Sequence, residues 1–166
     1  MYDYDIDALG CQLGDKEYKS EYLSPLDTPA IDSISVESSA SEKPVYICVT
    51  THDNEPEPTY YKWSYREIWE FNADLFANAG YLNDKFYMFE RHTSQNTYYC
   101  WGRDSSKVML LATTDKLTEN LIYEKKLIEI PRDHDKLKIL YYIEVKQNRI
   151  RKGAYAYFEN MQRNIE

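Results

Sequence analysis

Val45-Tyr46-Ile47-Cys48-Val49-Thr50 is a run of β-branched and aromatic residues, and it predicts a buried strand at the start of a folded body. The acidic loop His52-Asp53-Asn54-Glu55-Pro56-Glu57-Pro58 follows soon after it. Because the residues before the strand are rich in Ser, Pro and acids, we place one domain at 45–166 and treat 1–44 as an acidic arm and linker. The alternation at residues 31–36 also permits one short strand inside this linker.

Charge is unevenly distributed along the chain. The first 60 residues contain 13 acidic and 3 basic residues, a balance of −10, whereas residues 61–166 contain 15 acidic and 17 basic residues, a balance of +2. Like charges in water repel one another and disfavour compaction. The front of the chain is therefore interpreted as an arm, and the rest as a nearly neutral body that folds by itself.

A helix is predicted after the first strand. Ser64 and Glu67 have the spacing of a capping box, and apolar residues recur at helical spacing from Ile68 until Gly80 ends the pattern. These signals predict a helix over residues 64–79. Its wide apolar face indicates that it packs across a sheet.

Strand-like segments joined by polar turns follow this helix. Their alternation and short spacing indicate a meander. The segments are 85–91, 96–102 and 107–113.

The last third of the chain contains one ambiguous segment. Residues 115–130 fit both helical and strand periodicity, so both alternatives stay open, whereas 137–145 predict a strand and 153–165 an amphipathic helix. The predicted fold is α+β: a mainly antiparallel sheet of about five strands, the packed helix 64–79, a C-terminal helix and an acidic N-terminal arm.

Composition narrows the classes of function. The chain has 166 residues, of which 17 are Tyr and only 5 are Gly, so it has little material for a glycine-rich phosphate loop. Three widely spaced cysteines argue against a complete disulfide framework, and no apolar run approaches a membrane span. We therefore expect a cytoplasmic protein without membrane association. The net charge of −8 disfavours nucleic acid as a partner.

Candidates for catalysis and metal binding are few. His92-Thr93-Ser94 resembles half of the paired H-x-[ST] signature of the 2H phosphoesterase family, in which one His acts as base and the other as acid. A second triplet is absent, so His92 is only a weak catalytic candidate. The Cys and His residues lack ligand spacing, and no nucleotide-binding motif occurs. We therefore expect no metal and no cofactor.

Residues 45–75 resemble the strand–loop–helix stretch of phosphoinositide-binding PX domains. The similarity covers under a fifth of the chain. Trp63-Ser64 stands where that family has a basic pair, so a phosphate would find no bidentate guanidinium partner. The resemblance therefore implies no binding residue in this chain.

Basic residues gather near the C-terminal end, at Lys146, Arg149, Arg151 and Lys152. Such a cluster would hold an anion. In the alternative hypothesis it clamps phosphate for a small nucleotide- or nucleic-acid-directed enzyme that uses His92.

The leading hypothesis is a non-enzymatic binding protein whose acidic, Tyr-rich surface engages a protein partner with a basic or mixed surface. Acids would steer association, and aromatic side chains would supply most of the buried contact energy. The expected role is an inhibitor, such as a phage anti-defence, host-takeover or immunity-type protein, or a virion or assembly element. A homodimer or larger assembly would form through the arm. The predicted partner-binding residues are Tyr2, Asp3, Tyr4, Asp5, Asp7, Glu55 and Glu57.

Overall fold

The computed structural model describes residues 24–38, 43–74, 79–88 and 98–164, and it also assigns strands at 10–13 and 16–19. Within these ranges the chain is mainly antiparallel β-structure with one α-helix near the C-terminal end. The elements are β1 (Gly10–Leu13), β2 (Lys16–Lys19), β3 (Ser33–Glu37), β4 (Val45–His52), β5 (Tyr60–Asn72), β6 (Ala79–Leu82), β7 (Lys85–Met88), β8 (Tyr99–Ser105), β9 (Leu110–Thr113), β10 (Leu121–Ile130), β11 (Leu140–Ile150) and α1 (Lys152–Arg163).

Two antiparallel sheets form a sandwich around one core. The first sheet has the order β10-β4-β3, and the second has the order β11-β5-β8 with β9 also paired to β5. Apolar side chains from both sheets meet between them, as is usual when two twisted sheets pack face to face. The core consists of Ile47, Val49, Tyr61, Trp63, Ile122, Leu127, Ile128 and Ile130.

The helix predicted at 64–79 is wrong wherever the structure describes that segment, because β5 and the start of β6 occupy it. Residues 75–78 lie outside the described ranges. β5 has strand partners on both sides: β11 pairs with it from Tyr60 to Glu70, and β8 and β9 pair with its other edge. β5 turns Tyr61, Trp63 and Tyr65 toward the core at alternate positions, whereas Ile68 lies on its outer face. The predicted helical stripe combined Ile68 with Phe71, which lie on opposite faces of the strand.

The strands predicted at 85–91, 96–102 and 107–113 are formed in part as β7, β8 and β9, but the described strands do not pair with one another as a meander. β8 and β9 lie one after the other along the same edge of β5, so they form one interrupted strand without a hairpin turn between them. The backbone N–H of Ser106 still donates to the Tyr65 carbonyl oxygen at 3.0 Å where the strand is interrupted. The described ranges therefore contain more strands than the five or so expected, and the ambiguous segment 115–130 contributes β10.

The predicted C-terminal helix is confirmed as α1. It packs on the outer face of β5, where the Tyr155 and Tyr60 rings lie 5.3 Å apart and the Lys62 ammonium lies 4.1 Å from the centre of the Phe158 ring. The helix therefore covers only the first part of that face. No helix in the described ranges is long and apolar enough to span a membrane.

Residues 24–38 run along one side of the sandwich. The Thr28 hydroxyl accepts from the Arg149 backbone N–H at 3.0 Å, and the Pro29 carbonyl accepts from the Gln147 side chain at 2.9 Å. The short strand that the alternation at 31–36 permitted is formed as β3, which pairs with β4.

β6 and β7 form a tight hairpin. Its turn residues Asn83 and Asp84 have φ angles of 50° and 55°, the left-handed values that a two-residue turn of this kind requires. Asn and Asp tolerate that conformation better than most residues.

Candidate recognition surface

The outer face of the sheet β11-β5-β8 is open beyond the part that α1 covers. Strand register places side chains from three strands side by side on it. We call this set the aromatic face: Arg66, Ile68 and Glu70 of β5, Tyr99, Trp101, Arg103 and Ser105 of β8, and Leu140, Tyr142 and Glu144 of β11.

Large apolar side chains on the aromatic face are unusually exposed. Trp101 is 61% exposed and Tyr142 is 58% exposed, and Ile68 lies between their strands. Because these side chains stand on paired strands, their positions are held by the sheet rather than by a mobile loop. The face therefore carries aromatic groups in contact with solvent on a backbone that strand pairing holds in place.

Charges of both signs lie among the aromatic groups. The Arg66 guanidinium donates to the Glu144 carboxylate from Nε at 3.1 Å and from a terminal nitrogen at 2.6 Å. Both side chains are exposed, so this pair contributes little to stability and is free to exchange partners. A hollow of about 600 Å³ lies here, lined among others by Arg66, Ile68, Arg103, Tyr142 and Glu144.

A buried polar cluster supports the sheet from its inner side. The carboxylate of Glu67, which is 1% exposed, forms an ion pair with Lys136 and accepts a hydrogen bond from the Tyr141 hydroxyl at 2.7 Å. The Lys136 ammonium also lies 4.8 Å from the centre of the Trp69 ring. Burial, followed by the hydrogen bond to Glu67, raises the pKa of Tyr141 far above its usual range. These groups satisfy one another, as a structural cluster does.

A second buried polar cluster holds the loop between β4 and β5. The Asp53 carboxylate accepts from the Thr59 hydroxyl at 2.8 Å and from the Glu55 backbone N–H at 3.1 Å, and it lies 3.3 Å from the Arg149 guanidinium. Burial alone would raise the pKa of Asp53. The two hydrogen bonds and the Arg149 charge outweigh burial and hold that pKa below its ordinary value.

Comparison with known proteins places the chain in a family without assigning it an activity. A family model described as a domain of unknown function, DUF4249, matches residues 9–166. The chain belongs to the DUF4249 family. No curated protein and no solved structure matches it.

The basic cluster predicted in this DUF4249 chain is divided by strand alternation. Arg149, Arg151 and Lys152 line a hollow of about 380 Å³ beside the start of α1. Lys146, three residues before Arg149 on β11, lies on the opposite face of the strand and lines a different hollow with Arg66 and Glu144. Arg149 is paired with Asp53, and Arg151 donates to the Ser24 carbonyl oxygen at 2.9 Å.

The remaining predicted site residues of the DUF4249 chain are scattered or lie outside the described ranges. Glu55 and Glu57 are exposed in the β4–β5 loop, where the Asn120 side chain donates to both backbone carbonyls. The ranges 1–9 and 89–97, which contain the acidic arm residues and His92, are outside the described part. Among described residues, no group of three or more His, Cys, Asp or Glu is placed to hold a metal ion.

Sequence reasoning missed the aromatic face. Trp101, Arg103 and Tyr142 are separated in sequence and meet only through the pairing of β8 and β11 with β5. One local signal was present: Leu140-Tyr141-Tyr142-Ile143 is apolar at both alternating positions. A strand with this pattern has large apolar groups on both faces, so a face that no other element covers exposes them.

Proposed function

We propose that this chain is a non-enzymatic binding protein that recognises a protein partner through the aromatic face. The observation that carries the proposal is the exposure of Trp101 and Tyr142 on paired strands beside arginine side chains. Trp, Tyr and Arg are the residues that most often dominate the binding energy of protein interfaces. A contiguous exposed apolar patch with a polar rim is typical of an interaction site.

The charges on the face indicate the kind of surface that fits it. Arg66 and Arg103 are positive, and Glu70 and Glu144 are negative, so a partner with charges of both signs around an apolar centre would be complementary. The basic or mixed partner surface expected from the sequence stays a prediction. Contributions from the acidic arm, and a role as an inhibitor or an assembly element, stay predictions.

Rigidity favours binding by this face. Ordering a loop on association costs free energy, whereas the backbone of a paired sheet is already in place. The buried cluster of Glu67, Lys136 and Tyr141 fixes β5 and β11 to each other beneath the face. The arrangement is therefore preorganised for recognition.

Single substitutions on the face and elsewhere test the proposal. The wild type and the variants Trp101→Ala and Tyr142→Ala are used to capture proteins from a lysate of the source cells. The controls are Tyr123→Ala on β10, where Tyr123 is 69% exposed, and Tyr157→Ala on α1, where Tyr157 is 61% exposed. We expect a partner that the wild type and both controls retain and that both face variants lose.

Affinity for the purified partner makes the test quantitative. Trp101→Ala is expected to weaken binding about 30-fold, which corresponds to roughly 2 kcal/mol. The proposal fails if the face variants and the controls bind every captured protein equally well.

The alternative hypothesis from the sequence was a small nucleotide- or nucleic-acid-directed enzyme. No observation among the described residues supports it. Its phosphate clamp needs four cations, of which Arg149 and Arg151 are already bound to Asp53 and to the Ser24 carbonyl oxygen. Its base, His92, lies outside the described ranges.

A further inference from the structure

β3 carries apolar side chains that the sandwich leaves exposed. Ile34 lies opposite Val49 of β4, so both side chains are on the core side of the sheet. Val36 lies opposite Ile47 in the same way. The two β4 residues are at most 3% exposed, whereas Val36 is 64% and Ile34 45% exposed. The apolar rows of the core therefore continue onto β3, where they are in contact with solvent.

β3 is an edge strand without the features that usually protect such an edge. β4 occupies one of its sides, and no strand in the described part of the chain pairs with the other. Its pairing with β4 is regular, and it contains no Lys and no Pro. Bulges, lysines, prolines or a covering segment normally keep an edge strand from pairing with another chain. The backbone of β3 is therefore a template for one more strand.

The other sheet edges in the described ranges do carry such protection. β10 has two register irregularities in its pairing with β4, and it contains Lys125 and Lys126. The edge formed by β8 and β9 is interrupted at 106–109. Along β11, the backbone N–H of Arg149 already donates to the Thr28 hydroxyl. β3 is the described edge that is best suited to pairing with another molecule.

The sequence of β3 is symmetric about Ser35. Its neighbours Ile34 and Val36 are both β-branched and apolar, and Ser33 and Glu37 follow on either side. In an antiparallel pair of two β3 strands with Ser35 opposite Ser35, Ile34 of each copy lies opposite Val36 of the other. Glu37 then lies opposite the uncharged Ser33. The strand is therefore complementary to a second copy of itself, as a two-fold interface requires.

Charges at the ends of this pairing are also complementary. The same register places Ser38 of one copy opposite Asp32 of the other. The Arg132 guanidinium donates to the Ser38 hydroxyl, so it would approach Asp32 of the second copy. The Asp32 side chain, which lies 2.7 Å from Nδ1 of His52, is 33% exposed. The two-fold axis repeats this contact, so an acid meets a base at both ends of the ladder.

We propose that two copies of this chain associate through their β3 strands, paired antiparallel about Ser35. The sheet β10-β4-β3 then continues into the same sheet of the second copy, and Ile34 and Val36 of the two copies shield one another. One strand from each copy is a small contact, so the expected dissociation constant is about 10–500 µM. This interface lies on the other sheet from the aromatic face and is independent of it.

Two matched lysine substitutions test the register in the full-length protein, with association measured by sedimentation velocity over a range of concentrations. Ser35→Lys places two lysines directly opposite each other and should weaken the dimer at least about 5-fold. Ser33→Lys makes the same change on the same face of β3 but places each lysine opposite Glu37. It should dimerise at least as tightly as the wild type. Urea denaturation reports whether both variants are folded.

A mixing experiment gives a second test. Ser35→Glu should also dimerise poorly by itself, whereas its mixture with Ser35→Lys should form a heterodimer more tightly than either variant alone. Trp101→Ala should dimerise as the wild type does. The proposal is overturned if the wild type stays monomeric at about 1 mM. It is also overturned if Ser33→Lys and Ser35→Lys dimerise alike, if mixing has no effect, or if Trp101→Ala abolishes the dimer.

Discussion

Gly102 is a position where the packing of one aromatic ring excludes any side chain. A Cβ atom there would lie 2.2 Å from Cε2 of Trp69, the residue opposite on β5. Gly102→Ala would push the Trp69 ring out of its place beside Lys136. We expect the free energy of unfolding to fall by about 1–3 kcal/mol, as overpacking usually costs, measured by urea denaturation.

Gly153 provides the matched control for this substitution. No atom would lie within 4 Å of a Cβ at Gly153, in the first turn of α1. Gly153→Ala should therefore leave stability unchanged or raise it by up to about 1 kcal/mol. Equal stability of Gly102→Ala and the wild type would contradict the packing argument.

The loop between β4 and β5 depends on the ionised carboxylate of Asp53. Because the pKa of Asp53 is lowered in the folded state, its contribution is present above the pKa of the unfolded chain and is lost as pH falls through the folded pKa. We therefore expect the wild type to lose stability as pH falls below the pKa that an aspartate has in the unfolded chain. Asp53→Asn should show a smaller loss, measured by urea denaturation over the same fall in pH.

An exposed acid of the same loop serves as the control. Glu57→Gln removes a carboxylate whose side chain is exposed, so its stability should follow that of the wild type at every pH. If Asp53→Asn also follows the wild type, Asp53 does not hold the loop through its charge.

At the scale of the whole molecule, Lys136 anchors the connection between the two sheets to β5. This residue lies in the connection between β10 of one sheet and β11 of the other, and it pairs with the buried carboxylate of Glu67. Lys136→Met would leave that carboxylate without a cation. We expect a loss of about 3–5 kcal/mol in the free energy of unfolding, because removing one partner leaves a buried charge uncompensated.

A double-mutant cycle separates this effect from a loss of packing. Glu67→Gln/Lys136→Met removes both charges and should recover most of the lost stability. Arg66→Met, which breaks the exposed pair with Glu144, should cost less than about 1 kcal/mol. The burial argument is refuted if Lys136→Met costs no more than Arg66→Met.

Short-range patterns were sufficient for some elements. β4 was predicted because five of the six residues at 45–50 are β-branched or aromatic. α1 was predicted because its apolar spacing is helical, and its apolar face packs on Tyr60. In both cases the preference of the backbone and the periodicity of the side chains agree. Segment 115–130 fits both helical and strand periodicity. Pairing with β4 makes its second part a strand, β10.

β5 and the aromatic face could not be predicted from local sequence, because both depend on pairing between strands that are far apart in the chain. Ser64 and Glu67 have the spacing of a helix cap, but Glu67 instead meets Lys136, which lies 69 positions farther along the chain. Strand pairing on both edges of β5 outweighs a local helical preference of a few tenths of a kcal/mol per residue. Trp101 and Tyr142 share a surface for the same reason, because each strand acquires its neighbours only when the sheet closes. The sequence by itself determines the charge, the composition and the local periodicity. The tertiary structure decides which side chains meet, because those contacts join residues that are far apart in the chain.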